Sequence, residues 1–225
     1  MLRKLLVAFA ILLSLVLAVL AIPIDDASKI AIPEGAAATT LKFRILSAEF
    51  QCQMGGYING DPLKVGTEHG DGEYGFFSEL SGLRPVGGTT LNFLAPTFRN
   101  SSPIIDGYQF IVYLPDSDHS AATDPYTNPR TFNPRGAKLR KEHLIAYAWP
   151  VTPNDGRRML AIDVHDQIYA AWYGGTPEAR KIVIGVPQLP PTCYSGPAPV
   201  WNALYGGGNA GWDGTPSAAW VPYLH

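Results

Sequence analysis

The sequence predicts an α+β fold. A hydrophobic N-terminal helix comes first, then a helix packed on an antiparallel β-sheet meander, then an irregular C-terminal tail rich in Pro, Gly and Trp. Three observations predict it. An apolar run extends from Leu5 to Ile22 and is broken only by Ser14. Short β-type runs succeed one another from residue 108 to 186, with no repeated helix between them of the kind a parallel sheet requires. From Pro187 the composition shifts to Pro, Gly and aromatics, with Asp213 the only formally charged side chain. The predicted divisions are a signal-anchor or signal peptide at 1–22, a hinge at 23–35, an α+β domain at 36–186 and the tail at 187–225. The 23 Gly and 20 Pro among 225 residues argue against an all-helical bundle. The net charge of −2 disfavours a nucleic-acid binder.

Arg3 and Lys4 precede the apolar run. As a helix, Leu5 to Ile22 spans about 27 Å, close to the thickness of a bilayer core. Two readings compete: a retained anchor, and a cleaved signal with Val19-Leu20-Ala21 before the cut. Either keeps the two charges inside and exports the rest. Export gives meaning to the two cysteines, because an oxidising compartment permits a bridge between Cys52 and Cys193. Two buried thiols are the alternative, and no C-x-x-C spacing points to a metal.

Pro23, Pro33 and Gly35 mark residues 23–35 as a break. Thr39 or Thr40 is placed to cap a helix running to about Met54, since Leu41, Ile45, Ala48 and Cys52 repeat at helical spacing. Leu41, Phe43 and Ile45 also alternate, as the start of a strand would. Residues 55–75 are turn chemistry, and Phe76–Leu83 fits a short helix ended by Gly82 and Pro85. Tyr108–Leu114, Leu144–Val151, Met159–Ile162, Ile168–Trp172 and Lys181–Val186 read as strands, and Asp163–Asp166 as a hairpin turn. Residues 116–142 form a long polar insertion between two strands. The tail is either a disordered appendage or an extended segment laying its aromatics on the body.

The order of these pieces resembles that of type IV pilin-like proteins and type II secretion pseudopilins, in a divergent form. The likeness is carried by the basic start and apolar run with Ile22-Pro23, then Leu46–Gln51 in the amphipathic segment. Asp71-Gly72-Glu73-Tyr74-Gly75-Phe76-Phe77-Ser78-Glu79-Leu80-Ser81-Gly82 and Asp106-Gly107-Tyr108-Gln109-Phe110 follow. Ala146–Pro150, Gly156-Arg157-Arg158 and Asp163 with Ile168-Tyr169 complete it. The likeness covers roughly residues 5–172. It implies a prepilin-like helix, a membrane anchor through residues 5–22, pilin-like neighbours and a structural role in a cell-envelope assembly. The chain departs from that pattern at its start: Lys4 precedes Leu5, and residues 5–24 hold no acidic side chain.

Several residues are candidate sites. Asn59, Asp61, Glu68, Asp71 and Glu73 lie among glycines, a composition that suits calcium, and Asp61, Asp71 and Glu73 are the expected ligands. A solvated turn is the competing reading. His165 lies between Asp163 and Asp166, a base between carboxylates on one reading and a surface turn on the other. Asp118-His119-Ser120 has the residue types of a triad, but neighbours in sequence cannot converge in its geometry. No G-x-S-x-G, H-E-x-x-H or P-loop spacing occurs, so no catalytic turnover is expected. Arg130, Arg135, Lys138, Arg140 and Lys141 form a basic cluster suited to anionic headgroups or to water. Asn100-Ser101-Ser102 fits a glycosylation sequon. Trp201, Trp212 and Trp220, with Tyr194, Tyr205 and Tyr223, suit stacking on a sugar, docking on a partner, or covering the core. The functional expectation is an exported, membrane-anchored pilin-like subunit. The alternative is a cleaved, secreted module binding glycan or protein through its tail aromatics.

Overall fold

A computed structural model describes residues 26–60, 72–117, 120–124, 134–151, 158–172 and 220–223. Its architecture is α+β, as the sequence predicts. The first helix, α1, spans Asp26–Thr39; its backbone continues as a π-helical stretch, Thr40–Leu46, and then as α2, Ser47–Met54. The expected hinge is therefore corrected over residues 26–35, which are helical. Pro33 lies inside α1. It has no N–H to give to the carbonyl four residues back, but packing of the following turns carries the helix past it. Thr39 is not a cap: its backbone is helical and its side chain makes no capping bond.

Of the two readings of residues 41–45, the helix is the correct one. Leu41, Ile45, Ala48 and Cys52 are all buried, while Phe43 is 67% exposed. Strand alternation would have put Phe43 on the same face as its neighbours.

Among the described residues seven strands form one antiparallel sheet: β1 Ile104–Ile105, β2 Tyr108–Ser117, β3 Ser120–Thr123, β4 Ile145–Pro150, β5 Arg158–Asp163, β6 Ile168–Trp172 and β7 Val221–Pro222. Their order is β1-β2-β4-β5-β6-β7, with β3 also paired to β2. Asp106-Gly107, both at positive φ, join β1 to β2. This two-residue turn is the one whose twist matches the strands it connects, and Asp-Gly is among the pairs that tolerate it.

Period-2 alternation gives the sheet two buried faces. Phe110, Val112, Ala146, Ala148, Leu160, Ile162 and Ala170 turn toward the helices. Cross-strand register places Phe110 opposite Ala148 and Leu160 opposite Ala170. The small alanines leave room where Leu41 and Ile45 descend onto the sheet. Ile111, Tyr113, Ile145, Tyr147, Trp149, Met159 and Ala161 face the other way in a second cluster, which Trp220 joins.

The insertion at 116–142 is more structured than expected. β3 folds back on β2, and a further helix, α4, spans Pro134–Glu142. Gly136 sits so close to β2 that a Cβ there would meet the Asp116 carbonyl oxygen at 2.5 Å. The short helix α3 is Phe77–Leu80, inside the expected range, and Gly82 ends it at φ 72°. Among the described residues no helix is long and apolar enough to cross a membrane.

Candidate functional site

The Gly72–Gly75 element is a knot of backbone bonds. Gly72 N–H donates to Gln53 O at 3.1 Å, Glu73 N–H to Ile58 O at 2.8 Å, and Tyr74 N–H to Arg140 O at 3.0 Å. Gly75 N–H donates to Glu49 Oε2 at 2.8 Å. The segment thereby ties the end of α2 to α4. Glycine at 72 follows from the close approach: a Cβ there would meet Gln53 O at 2.8 Å.

Glu73 is the centre of this knot. Its side chain is fully buried, with Oε2 accepting from Arg140 Nε at 2.5 Å and Oε1 from Asn59 Nδ2 at 2.9 Å. Arg140 Nη1 donates onward to Pro115 O at 3.0 Å. Two expectations change here. Glu73 is not presented as a calcium ligand, because both its oxygens are engaged. Arg140 is not part of a solvent-facing basic cluster, because its guanidinium neutralises a buried carboxylate. Of that cluster Lys138 is exposed, while Arg130 and the side chain of Arg135 lie outside the described residues. Asp61 and Asp71 also lie outside them. Among the described residues no group of three or more His, Cys, Asp or Glu is placed to hold a metal.

A second buried carboxylate shapes a cleft. Asp124 accepts from Ser78 N–H at 2.7 Å and from Ser78 Oγ at 2.9 Å, with Arg84 Nη2 3.7 Å away. It thus satisfies an N–H at the start of α3, whose Phe76 N–H is taken by Glu79 at 2.8 Å. The cleft beside it, about 440 Å³, is lined by Ser78, Leu83, Arg84, Arg99, Asn100, Ser101 and Asp124. Its chemistry is that of guanidinium and hydroxyl donors. The Ser78 hydroxyl gives its proton to a carboxylate, and among the described residues no imidazole lines the cleft to complete a nucleophile–base arrangement. Asn100 of the sequon is exposed, its Oδ1 accepting from Ser102 N–H at 3.1 Å.

The carboxylates flanking His165 both have partners. Asp163 Oδ1 accepts the backbone N–H of His165 at 2.9 Å, and Asp166 pairs with Lys42 at 3.0 Å. His165 itself is exposed. His143 lies 3.9 Å from the half-exposed Glu142. The turn reading of 163–166 therefore describes the geometry, and Asp166, at φ 61°, supplies its left-handed residue.

Cys52 is buried at the α2–Glu73 contact, with Sγ 3.8 Å from Glu73 O. Cys193, Asp118, His119, Tyr194, Trp201, Tyr205 and Trp212 lie outside the described residues. Trp220 is described, and its expected role as an open binding ring is corrected: it is 4% exposed, tilted against Tyr147 with ring centroids 5.8 Å apart. The tail thus adopts the covering arrangement at residues 220–223.

Sequence reasoning missed a junction that joins three distant parts of the chain. Arg158 on β5 donates from Nε to Glu34 Oε1 on α1 at 2.7 Å, and its guanidinium lies 4.8 Å from the centre of the Tyr223 ring. A side-chain hydrogen bond joins Tyr223 to Glu34. Burial, then the Glu34 charge, push the Tyr223 phenol above its ordinary value, with Arg158 opposing. Tyr74 is raised by burial and then by the charge of Glu49, and Tyr113 by burial. The signal that pointed to this junction was the Arg157-Arg158 pair at the start of a strand, but nothing in it named Glu34 or Tyr223.

The sequence matches no family model, and neither the comparison with curated proteins nor that with solved structures found a match.

Proposed function

We propose that the chain is an exported, membrane-anchored structural subunit of the pilin and pseudopilin kind, acting through assembly and surface contacts. The observation that carries this reading is the helical run from Asp26 to Met54, whose C-terminal half buries Leu41, Ile45, Ala48 and Cys52 in a core shared with an antiparallel sheet. That run begins just after the apolar segment 5–22 of the sequence. In this reading the apolar segment is a helix that anchors the chain and leads into α1. The sheet and its C-terminal tail form an exported head, and export permits the Cys52–Cys193 bridge. The helix also keeps an apolar residue for a neighbour. Phe43, 67% exposed, stands on its outer side between Lys42 and Arg44.

The order of motifs that resembles the pilin-like proteins supports the same reading. The test is contact between copies in the membrane. A photoreactive residue replacing Phe43 in the full chain should give self-crosslinked ladders in native membranes. Membrane-bound protein that yields only monomer after irradiation would overturn the assembly role.

A further inference from the structure

We propose that the outer edge of β6 is a peptide-docking site that accepts the C-terminal Trp-Val-Pro-Tyr segment of a second copy of the chain, by strand exchange. The segment is held by its two ends. Trp220 inserts on the sheet face away from the helices, beside Tyr147. Tyr223 crosses to the helix side, where its ring lies under Arg158 and its side chain bonds Glu34. Between them Val221 pairs with Ala170 and Pro222 with Tyr169, and Tyr223 N–H donates to Ile168 O at 2.8 Å. Both strand residues are exposed, and Pro222 has no N–H to donate. Two side-chain anchors three residues apart, joined by a few main-chain bonds, form the arrangement of strand addition to a sheet edge.

The receptor is complete without the segment it holds. Glu34, Tyr147, Arg158 and Ile168–Ala170 all belong to α1 and to β4, β5 and β6, which the rest of the sheet fixes. The occupant joins them only through residues 173–219. Copies held side by side in the assembly bring a neighbour's segment to the same edge, where the two segments compete for it. This extends the assembly reading to a named contact, but its test needs no membrane, so the two fail separately.

The test uses the full chain in detergent and a fluorescent peptide of residues 217–225. A chain carrying Trp220→Ala and Tyr223→Ala has an empty edge and should bind the peptide saturably. A peptide with Trp220→Ala should bind at least tenfold more weakly. Mixing this chain with one carrying Tyr147→Ala and Arg158→Ala should give a mixed dimer that neither forms alone. If the double tail variant does not fold, Tyr223→Phe keeps Trp220 and the β6 pairing while removing the hydroxyl bond to Glu34. It should take up the labelled peptide faster than the wild-type chain. Equal binding of the two peptides, or no uptake by a folded tail variant, would overturn the proposal.

Discussion

Removing the Arg140 side chain is the sharpest perturbation of this fold. In Arg140→Met the stem is replaced at similar length, but Glu73 loses the guanidinium and keeps the neutral Asn59 amide, 2.9 Å away. The side chains of Glu73 and Arg140 are 0% and 6% exposed, so solvent cannot take over the lost contact. Breaking a buried pair by deleting one partner costs about 3–5 kcal/mol, because the remaining charge is stranded. Loss of the bond to the Pro115 carbonyl falls within that figure. The urea midpoint of the purified full chain in mild detergent should fall accordingly, with an unchanged slope, and the melting temperature by roughly 6–20 °C. Lys138→Met on the same helix is exposed and should stay within about 0.5 kcal/mol. Combining Glu73→Gln with Arg140→Met should cost clearly less than the sum of the two, by about 0.5–3 kcal/mol of coupling. A loss under about 1 kcal/mol for Arg140→Met, or strict additivity, would refute the role given to this pair.

Three further outcomes are expected. Tyr74, Tyr113 and Tyr223 all have phenols raised in the folded state, so their contribution is intact below the unfolded value near about 10 and is lost as pH rises through and above it. Urea midpoints should therefore fall between pH 9 and pH 11, and less so in Tyr74→Phe or Tyr113→Phe, where the folded chain no longer resists ionisation at that position. Gly136→Ala should destabilise by about 1–3 kcal/mol, since the new methyl meets the Asp116 carbonyl oxygen, and chemical denaturation would show it. His165→Ala should change stability by no more than about 0.5 kcal/mol, whereas Asp163→Ala should cost about 1 kcal/mol through the lost turn bond to His165 N–H.

The parts of the fold that sequence revealed are those whose signal is local. Tyr108–Leu114 alternates large apolar side chains because both sheet faces are buried, and Leu41, Ile45, Ala48 and Cys52 repeat because one helix face is. The start of α1 was hidden by Pro33 and Gly35, whose local preference is overridden by packing against the sheet. The helix α4 was hidden for a different reason: Pro-Arg-Gly-Ala-Lys-Leu-Arg-Lys-Glu reads as polar loop, with Leu139 nearly its only apolar side chain. The buried polar contacts were least legible. Glu73 and Arg140 are 67 positions apart, and Ser78 and Asp124 are 46 apart. A carboxylate among glycines looks the same in sequence whether it awaits a cation from solvent or an arginine from the chain.

In the anchored subunit proposed above, residues 5–22 remain in the protein and hold it in a membrane. Native membranes extracted at alkaline pH, followed by intact-mass measurement and N-terminal sequencing, test it most directly. The protein should stay in the membrane pellet with residues 5–22 retained. A soluble protein beginning at Ile22 would contradict it.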